Sequence, residues 1–175
     1  MLFEKDYSFK GTHAEKVKQL VENKFDKDHK LFERNMDVYL MAPIVGFLQG
    51  RRAPLDKSSQ TTTNILAAIM IQYKADLLFN YRLIMMLDKD YEPDQKARIG
   101  KAFRHYGDDE KNKQDFERFE EYVRGGVDYL YEKLCQNSTQ VEDYTNNLYD
   151  LVTDFNEKYG DLSKEIFELC EFARG

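Results

Sequence analysis

The chain has 175 residues, of which 42% are hydrophobic and 33% charged, with a net charge of -6. That length suits one domain with a single sizeable core, and only 3 Pro and 9 Gly offer little material for the frequent turns of a β-sandwich. The charge is unevenly spread: residues 1–57 and 58–107 each carry +2, whereas 108–175 carry -10, a balance that argues against coating nucleic acid by charge alone.

The opening MLFEKDYSFK is charged from its fourth residue, so no signal peptide is expected there, and residues 1–11, with Phe3, Tyr7 and Phe9, are expected to form an extended arm. Thr12-x-x-Glu15 matches a capping box. It is expected to open a first amphipathic helix over 13–24, with Val17, Leu20 and Val21 on one face.

The second helix, residues 32–49, is expected to be the centre of the fold. Phe32, Met36, Tyr39, Leu40, Pro43 and Phe47 recur at steps of three and four, and the helix is apolar nearly all round after Val38, as for a helix with neighbours on several sides. Pro43 should kink it. Gly46 would admit a second backbone, and Gly50 suits the left-handed position that ends a helix. Arg51 and Arg52 follow at the partly negative helix end. Residues 53–63 read as a polar loop, and a third helix is expected over 64–87, with Ile65, Ala68, Ile69, Gln72, Leu77, Tyr81, Ile84 and Met85 on its buried face. Interrupting charges make the apolar run 65–87 a buried helix rather than a membrane span.

After a break at Asp88–Pro93, Pro93 would begin a fourth helix ending near Gly107. Its exposed face would be basic, with Lys96, Arg98, Lys101 and Arg104, and its buried face would hold Ile99, Ala102, Phe103 and Tyr106. A fifth helix is expected from Asp109 to Gln136 on Phe116, Phe119, Val123, Val127, Leu130 and Leu134. Gly125-Gly126 in its middle costs about 1.5–2 kcal/mol against alanine, which points to close packing or a kink. Ser138 would cap a sixth helix whose stripe runs from Val141 through Tyr144, Leu148, Leu151, Val152 and Phe155 to Tyr159, with Gly160 as its stop and a short helix over 163–172 to finish. The expected fold is all-α: a single-domain bundle of six to seven helices around the central apolar helix.

No catalytic, cofactor or metal residue is assigned. His13, His29 and His105 are scattered, no phosphate-binding glycine loop or zinc spacing occurs, and the acidic pairs at Asp88/Asp90 and Asp108/Asp109/Glu110 read as helix caps. The two cysteines, Cys135 and Cys170, read as reduced and buried. Arg51 and Arg52 read either as helix-end caps paired with the acidic last third or as a contact to phosphate or an acidic partner. Lys96, Arg98, Lys101 and Arg104 read either as a solvated face or as an extension of that contact.

Two stretches carry a family resemblance. The first joins Met41-Ala42-Pro43-Ile44-Val45, Gly46-Phe47 and the turn from Gly50 to Leu55; the second is Glu121-Tyr122-Val123-Arg124-Gly125-Gly126, followed by a helix with Asn147-Leu148-Tyr149-Asp150-Leu151-Val152. These resemble the Dnd system-associated proteins, accessory proteins encoded beside bacterial DNA phosphorothioation systems. Pro43 departs from that pattern, and residues 60–110, outside both stretches, are expected to be a lineage-specific helical insertion. The resemblance implies a non-enzymatic, cytoplasmic accessory component of a modification–restriction defence system. Its partners would be that system's proteins, with DNA as a weaker partner and no membrane. The rival reading is an unrelated helical adaptor that binds proteins through its acidic C-terminal third. A third is a nuclease or hydrolase with a polar cleft that gathers carboxylates or histidines.

Overall fold

The computed structural model describes residues 2–22, 30–104 and 112–174, with side chains through Gly160. Its elements are β1 (Tyr7–Lys10), α1 (Gly11–Val21), α2 (Asn35–Leu48), β2 (Thr62–Ile65), α3 (Ala67–Gln72), α4 (Lys74–Leu87), α5 (Gln95–Ile99), a π-helical turn (Gly100–Arg104), α6 (Lys113–Leu134) and α7 (Val141–Arg174). Among the described residues the fold is a mostly all-α bundle of seven helices, as the composition and periodicity predict, with one small two-stranded sheet added.

At the centre, α2 crosses α6 at a contact made by glycines. A Cβ on Gly46 would lie 2.2 Å from the Tyr122 carbonyl oxygen, and one on Gly126 would lie 1.8 Å from the Ala42 oxygen. Backbone therefore meets backbone, which only glycine permits at both positions. On α6 every residue from Tyr122 to Val127 is buried, so this helix shares the central place with α2. Although α2 is the more apolar helix, it keeps one open edge, where Met41 is 46% exposed and Leu48 38%.

Around this pair packs an aromatic cluster. Tyr39 lies beside Tyr7 and Phe9 of β1, and Phe119 beside Phe3 and Tyr81. Such edge and tilted ring pairs add to the burial of large apolar area. Of the N-terminal residues 1–11, Tyr7–Lys10 form β1, which runs antiparallel to β2, with Tyr7 opposite Ile65 and Lys10 opposite Thr62. Residues 62–63, read as loop, and 64–65, read as helix, are thus strand. Their β-branched threonines suit that pleated edge.

Several local expectations are corrected. Thr12 and Glu15 form no capping box, because α1 begins two residues earlier than expected, at Gly11, and Lys10 holds the cap position. Asp56 from the loop accepts instead from the Thr12 N–H at 2.8 Å, and Gly11 donates to the Thr61 carbonyl at 3.0 Å. The backbone N–H groups of Thr12 and Ser58 hold the Asp56 carboxyl well below the usual carboxylate range. At the start of α2, Arg34 N–H donates to the Asp37 carboxylate at 2.9 Å, and the Asp37 N–H returns to the Arg34 carbonyl at 3.0 Å. The expected third helix is interrupted at Tyr73, which separates α3 from α4. Ala68 and Gln72 face solvent there and Met70 takes the buried place. Asp94 rather than Pro93 begins α5, by accepting from the Ala97 N–H at 2.7 Å.

Ser138 does not cap the last helix, since its hydroxyl donates back to the Leu134 carbonyl at 3.0 Å. Asp143 does so, by accepting from the N–H groups of Thr139 and Gln140 at 2.7 and 3.0 Å. Gly160 is not a stop, because α7 runs through it to Arg174. A single glycine costs about 1 kcal/mol against alanine in a helix interior, and the helix-forming neighbours outweigh it. The expected start of the fifth helix at Asp109, the inward Tyr106, Gly107 and the acidic Asp108/Asp109/Glu110 lie outside the described residues, as do His29, His105 and the Cys170 side chain. Cys135 is buried, with its Sγ 3.9 Å from the Gln19 carbonyl oxygen.

Candidate functional site

The turn that leaves α2 is built with unusual definition. Gly50 has φ +61°, and it hands the chain out of the helix through two crossed hydrogen bonds. The Arg51 N–H donates to the Gly46 carbonyl at 2.8 Å, and the Gly50 N–H donates to the Phe47 carbonyl at 3.1 Å. This is a Schellman motif, which satisfies two carbonyls that a helix end leaves unpaired.

The next residues dock on α6. The Ala53 N–H donates to the Glu121 carbonyl at 3.0 Å, and Arg124 returns the contact with its Nε on the Ala53 carbonyl at 2.8 Å. Arg124 is buried, and its Nη2 reaches Glu117 at 2.5 Å. Gly125 makes the docking geometrically feasible: a Cβ there would stand 2.2 Å from the Arg51 carbonyl oxygen. The two sequence motifs, Gly50 to Leu55 and Tyr122 to Gly126, are therefore the two halves of one joint.

From this joint both arginine side chains emerge half-exposed. Arg51 Nη2 lies 2.7 Å from Glu132 Oε1, and Arg52 Nη1 lies 3.3 Å from Glu121 Oε2. Each guanidinium thus stands beside a carboxylate of α6. Exposed pairs of this kind stabilise little, about 0–1 kcal/mol, so they orient the arginines more than they hold the fold.

The expected basic face on the fourth helix is not assembled. Lys96 and Arg104 are exposed, but Arg98 is buried and donates to the carbonyls of Met86, Glu92 and Pro93 at 2.9, 2.8 and 2.8 Å. Three carbonyls in and beside the irregular 88–93 segment find their donor in that one side chain, which explains its burial. Lys101 turns to Asp115 at 2.8 Å. Phe103, expected to face inward, is 51% exposed and stacks under the Arg82 guanidinium at 5.4 Å.

Sequence reasoning missed the buried polar groups around α6. Glu120 accepts from the hydroxyls of Tyr39 and Tyr7 at 2.6 and 2.7 Å. Burial pushes its carboxyl up to about 6, against the pull of those two hydroxyls and Arg124. The same burial, with the Glu120 charge, pushes both tyrosines well above their ordinary range. A second group gathers on Asp88, read from sequence as a helix-start cap. Asp88 sits at the end of α4, and its carboxylate accepts from Arg118 at 2.8 and 3.3 Å and from the Tyr122 hydroxyl at 2.9 Å. Tyr91 donates to Asp115 at 2.7 Å and lies under the Arg118 guanidinium. On the other side of α6, Asp128 meets His13 Nε2 at 3.3 Å and Lys16 Nζ at 2.8 Å. Burial would raise its carboxyl, but these two hydrogen bonds win and hold it below the ordinary value.

These carboxylates serve different elements, each with its own donors. Among the described residues no three His, Cys, Asp or Glu side chains are grouped to hold a metal ion, and no helix is long and apolar enough to cross a membrane. Only periodicity was available to find these groups, and it is blind to a hydroxyl at the far end of a core tyrosine.

A family model described as DNA sulphur modification system-associated protein 4 matches residues 11–172. This is the family that the two motifs resemble. No curated protein and no solved structure matches the chain.

Proposed function

The chain belongs to the DNA sulphur modification system-associated protein 4 family, and on that premise we propose that it acts as a non-catalytic accessory component. In this reading it works in the cytoplasm, within a modification–restriction defence system, by binding one of that system's proteins. The proposed contact is the Gly50–Leu55 turn with Arg51 and Arg52.

One observation carries the choice of this surface. The turn is fixed on α6 by the Ala53 and Arg124 hydrogen bonds, so it presents both arginines from a rigid base. Rigid presentation lowers the ordering cost of binding. The neighbouring Glu121 and Glu132 carboxylates favour a protein partner over a nucleic acid, because their negative charge opposes a phosphate backbone. A protein partner can match the alternating charges with its own.

The test is co-purification of the system's modification and restriction proteins with the tagged chain, for the wild type and for Arg51→Ala plus Arg52→Ala. The double variant should lose the partner while its unfolding transition stays within about 1 kcal/mol of wild type. Undiminished capture would overturn the assignment of the contact to these residues. Capture of duplex DNA at low salt that the same variant abolishes would replace the protein partner by DNA.

A further inference from the structure

Helix α7 carries more apolar surface than its own bundle covers. It is 34 residues long, about 51 Å at 1.5 Å per residue. Through residues 141–160 only Tyr144 and Leu151 are buried, and they fall on one edge of the helix. On the adjoining edge Leu148, Tyr149 and Val152 are 45%, 72% and 60% exposed.

The charges on this helix are arranged around that open edge. At 100° per residue, Thr145, Leu148, Tyr149, Val152 and Asn156 occupy one arc of about 100° that contains no charged side chain. Asp143, Asp150, Asp154 and Glu157 cluster within about 60° on the opposite side. In sequence the same spacing continues through Ser163, Ile166, Phe167 and Cys170, so the uncharged positions recur over most of the helix. An acidic helix that clears one long stripe of charge has the composition of a buried contact, where charged residues are depleted.

We propose that this stripe is a homodimer contact, formed by α7 of a second copy of this chain. Elsewhere Phe79, Leu87 and Phe103 are exposed as well, but on segments that also carry exposed Asp76, Lys89, Asp90, Lys96 and Arg104. Segments so charged ask for complementary charges beside a docking edge, and the α7 stripe carries none. A charge-free stripe matches its own copy without any complementary charge, and a two-fold contact places the same patch on both subunits. Because each copy carries -6, screening strengthens such a dimer, whereas a contact between acidic and basic surfaces weakens with salt.

The experiment is light scattering on the eluting full chain, with reducing agent, at about 0.05 M and about 0.5 M salt. The expected mass is twice 20.8 kDa, with a dissociation constant several-fold lower at high salt. Leu148→Glu plus Val152→Glu should give a folded monomer, as should Leu148→Lys plus Val152→Lys, and the two mixed should pair with each other. Asp150→Lys, on the far side of the helix, should leave the wild-type dimer intact. A wild-type monomer at both salts overturns the proposal, as does a dimer that survives the paired glutamates. Failure of the oppositely charged variants to pair, or a dimer that weakens as salt rises, overturns it too. None of these outcomes bears on partner capture by Arg51 and Arg52.

Discussion

Replacing Gly126 by alanine tests the central joint most directly. Two effects oppose each other. Alanine favours the helix by about 1 kcal/mol over glycine, and that alone would stabilise the protein. The added Cβ, however, would stand 1.8 Å from the Ala42 oxygen, 2.5 Å from its carbonyl carbon and 2.9 Å from its Cα. Ordinary contact begins near about 3.5 Å, and all three atoms are backbone of a buried helix that cannot swing aside. The two helices must part, which disturbs Tyr39, Phe119 and the rings around them. Overpacking of this kind costs about 1–3 kcal/mol and more where the neighbour is rigid, so a net loss of about 2 kcal/mol is expected after the helix gain. For a chain of this size that lowers the melting temperature by about 4–8 °C. The assay is urea unfolding followed by circular dichroism, read as a shift in midpoint at unchanged slope. Gly160→Ala is the matched control, because its Cβ would meet only the flexible Asn156 side chain, at 3.0 Å; its stability should hold or rise by up to about 1 kcal/mol. A Gly126→Ala protein as stable as wild type would refute the close-approach argument.

Two further outcomes follow from the buried polar groups. Glu120, with its carboxyl raised to about 6, holds its proton more tightly in the folded than in the unfolded chain, so its contribution is full below about pH 4.5 and lost as pH rises through about 6. The difference in unfolding free energy between wild type and Glu120→Gln should therefore change by about 2 kcal/mol from pH 4.5 to 7, measured by urea titration at each pH; a constant difference would contradict it. Asp88→Ala leaves the Arg118 guanidinium and the Tyr122 hydroxyl without their shared acceptor. Removing one member of so buried a pair should cost about 3–5 kcal/mol, and a loss below about 1 kcal/mol would place the pair effectively in solvent.

The helical architecture was legible because periodicity reports it. The core positions Phe119, Val123, Val127, Leu130 and Leu134 of α6 are buried as their spacing predicts. The ending of α2 at Gly50 was equally readable, since a glycine that closes an apolar run and precedes two cations suits both the left-handed turn and the negative end of a helix. The sheet was not, because four-residue strands carry too little alternation to outweigh helical neighbours, and the exposed threonines of β2 look like loop. Arg98 shows a different limit. It falls in a stripe with Lys96, Lys101 and Arg104, yet two of the carbonyls that bury it belong to a segment with no regular pattern of its own. At the site, the sequence could mark Arg51, Arg52 and Gly125 separately. That Gly125 makes room for the backbone of Arg51 is a fact of the packed state and has no signature in either stretch alone.

The joint between α2 and α6 also sets an order of events during synthesis. Tyr39 finds its Glu120 partner 81 residues later, and Ala42 meets Gly126 at a similar remove. At about 5–20 residues per second the ribosome needs roughly 4–16 s to bridge such a gap. Throughout that interval the most apolar helix of the chain has left the tunnel without the helix that buries it. A nascent chain in this state is a natural client for a holding chaperone. Its yield on expression should then track chaperone supply more closely than the stability of the finished fold would suggest.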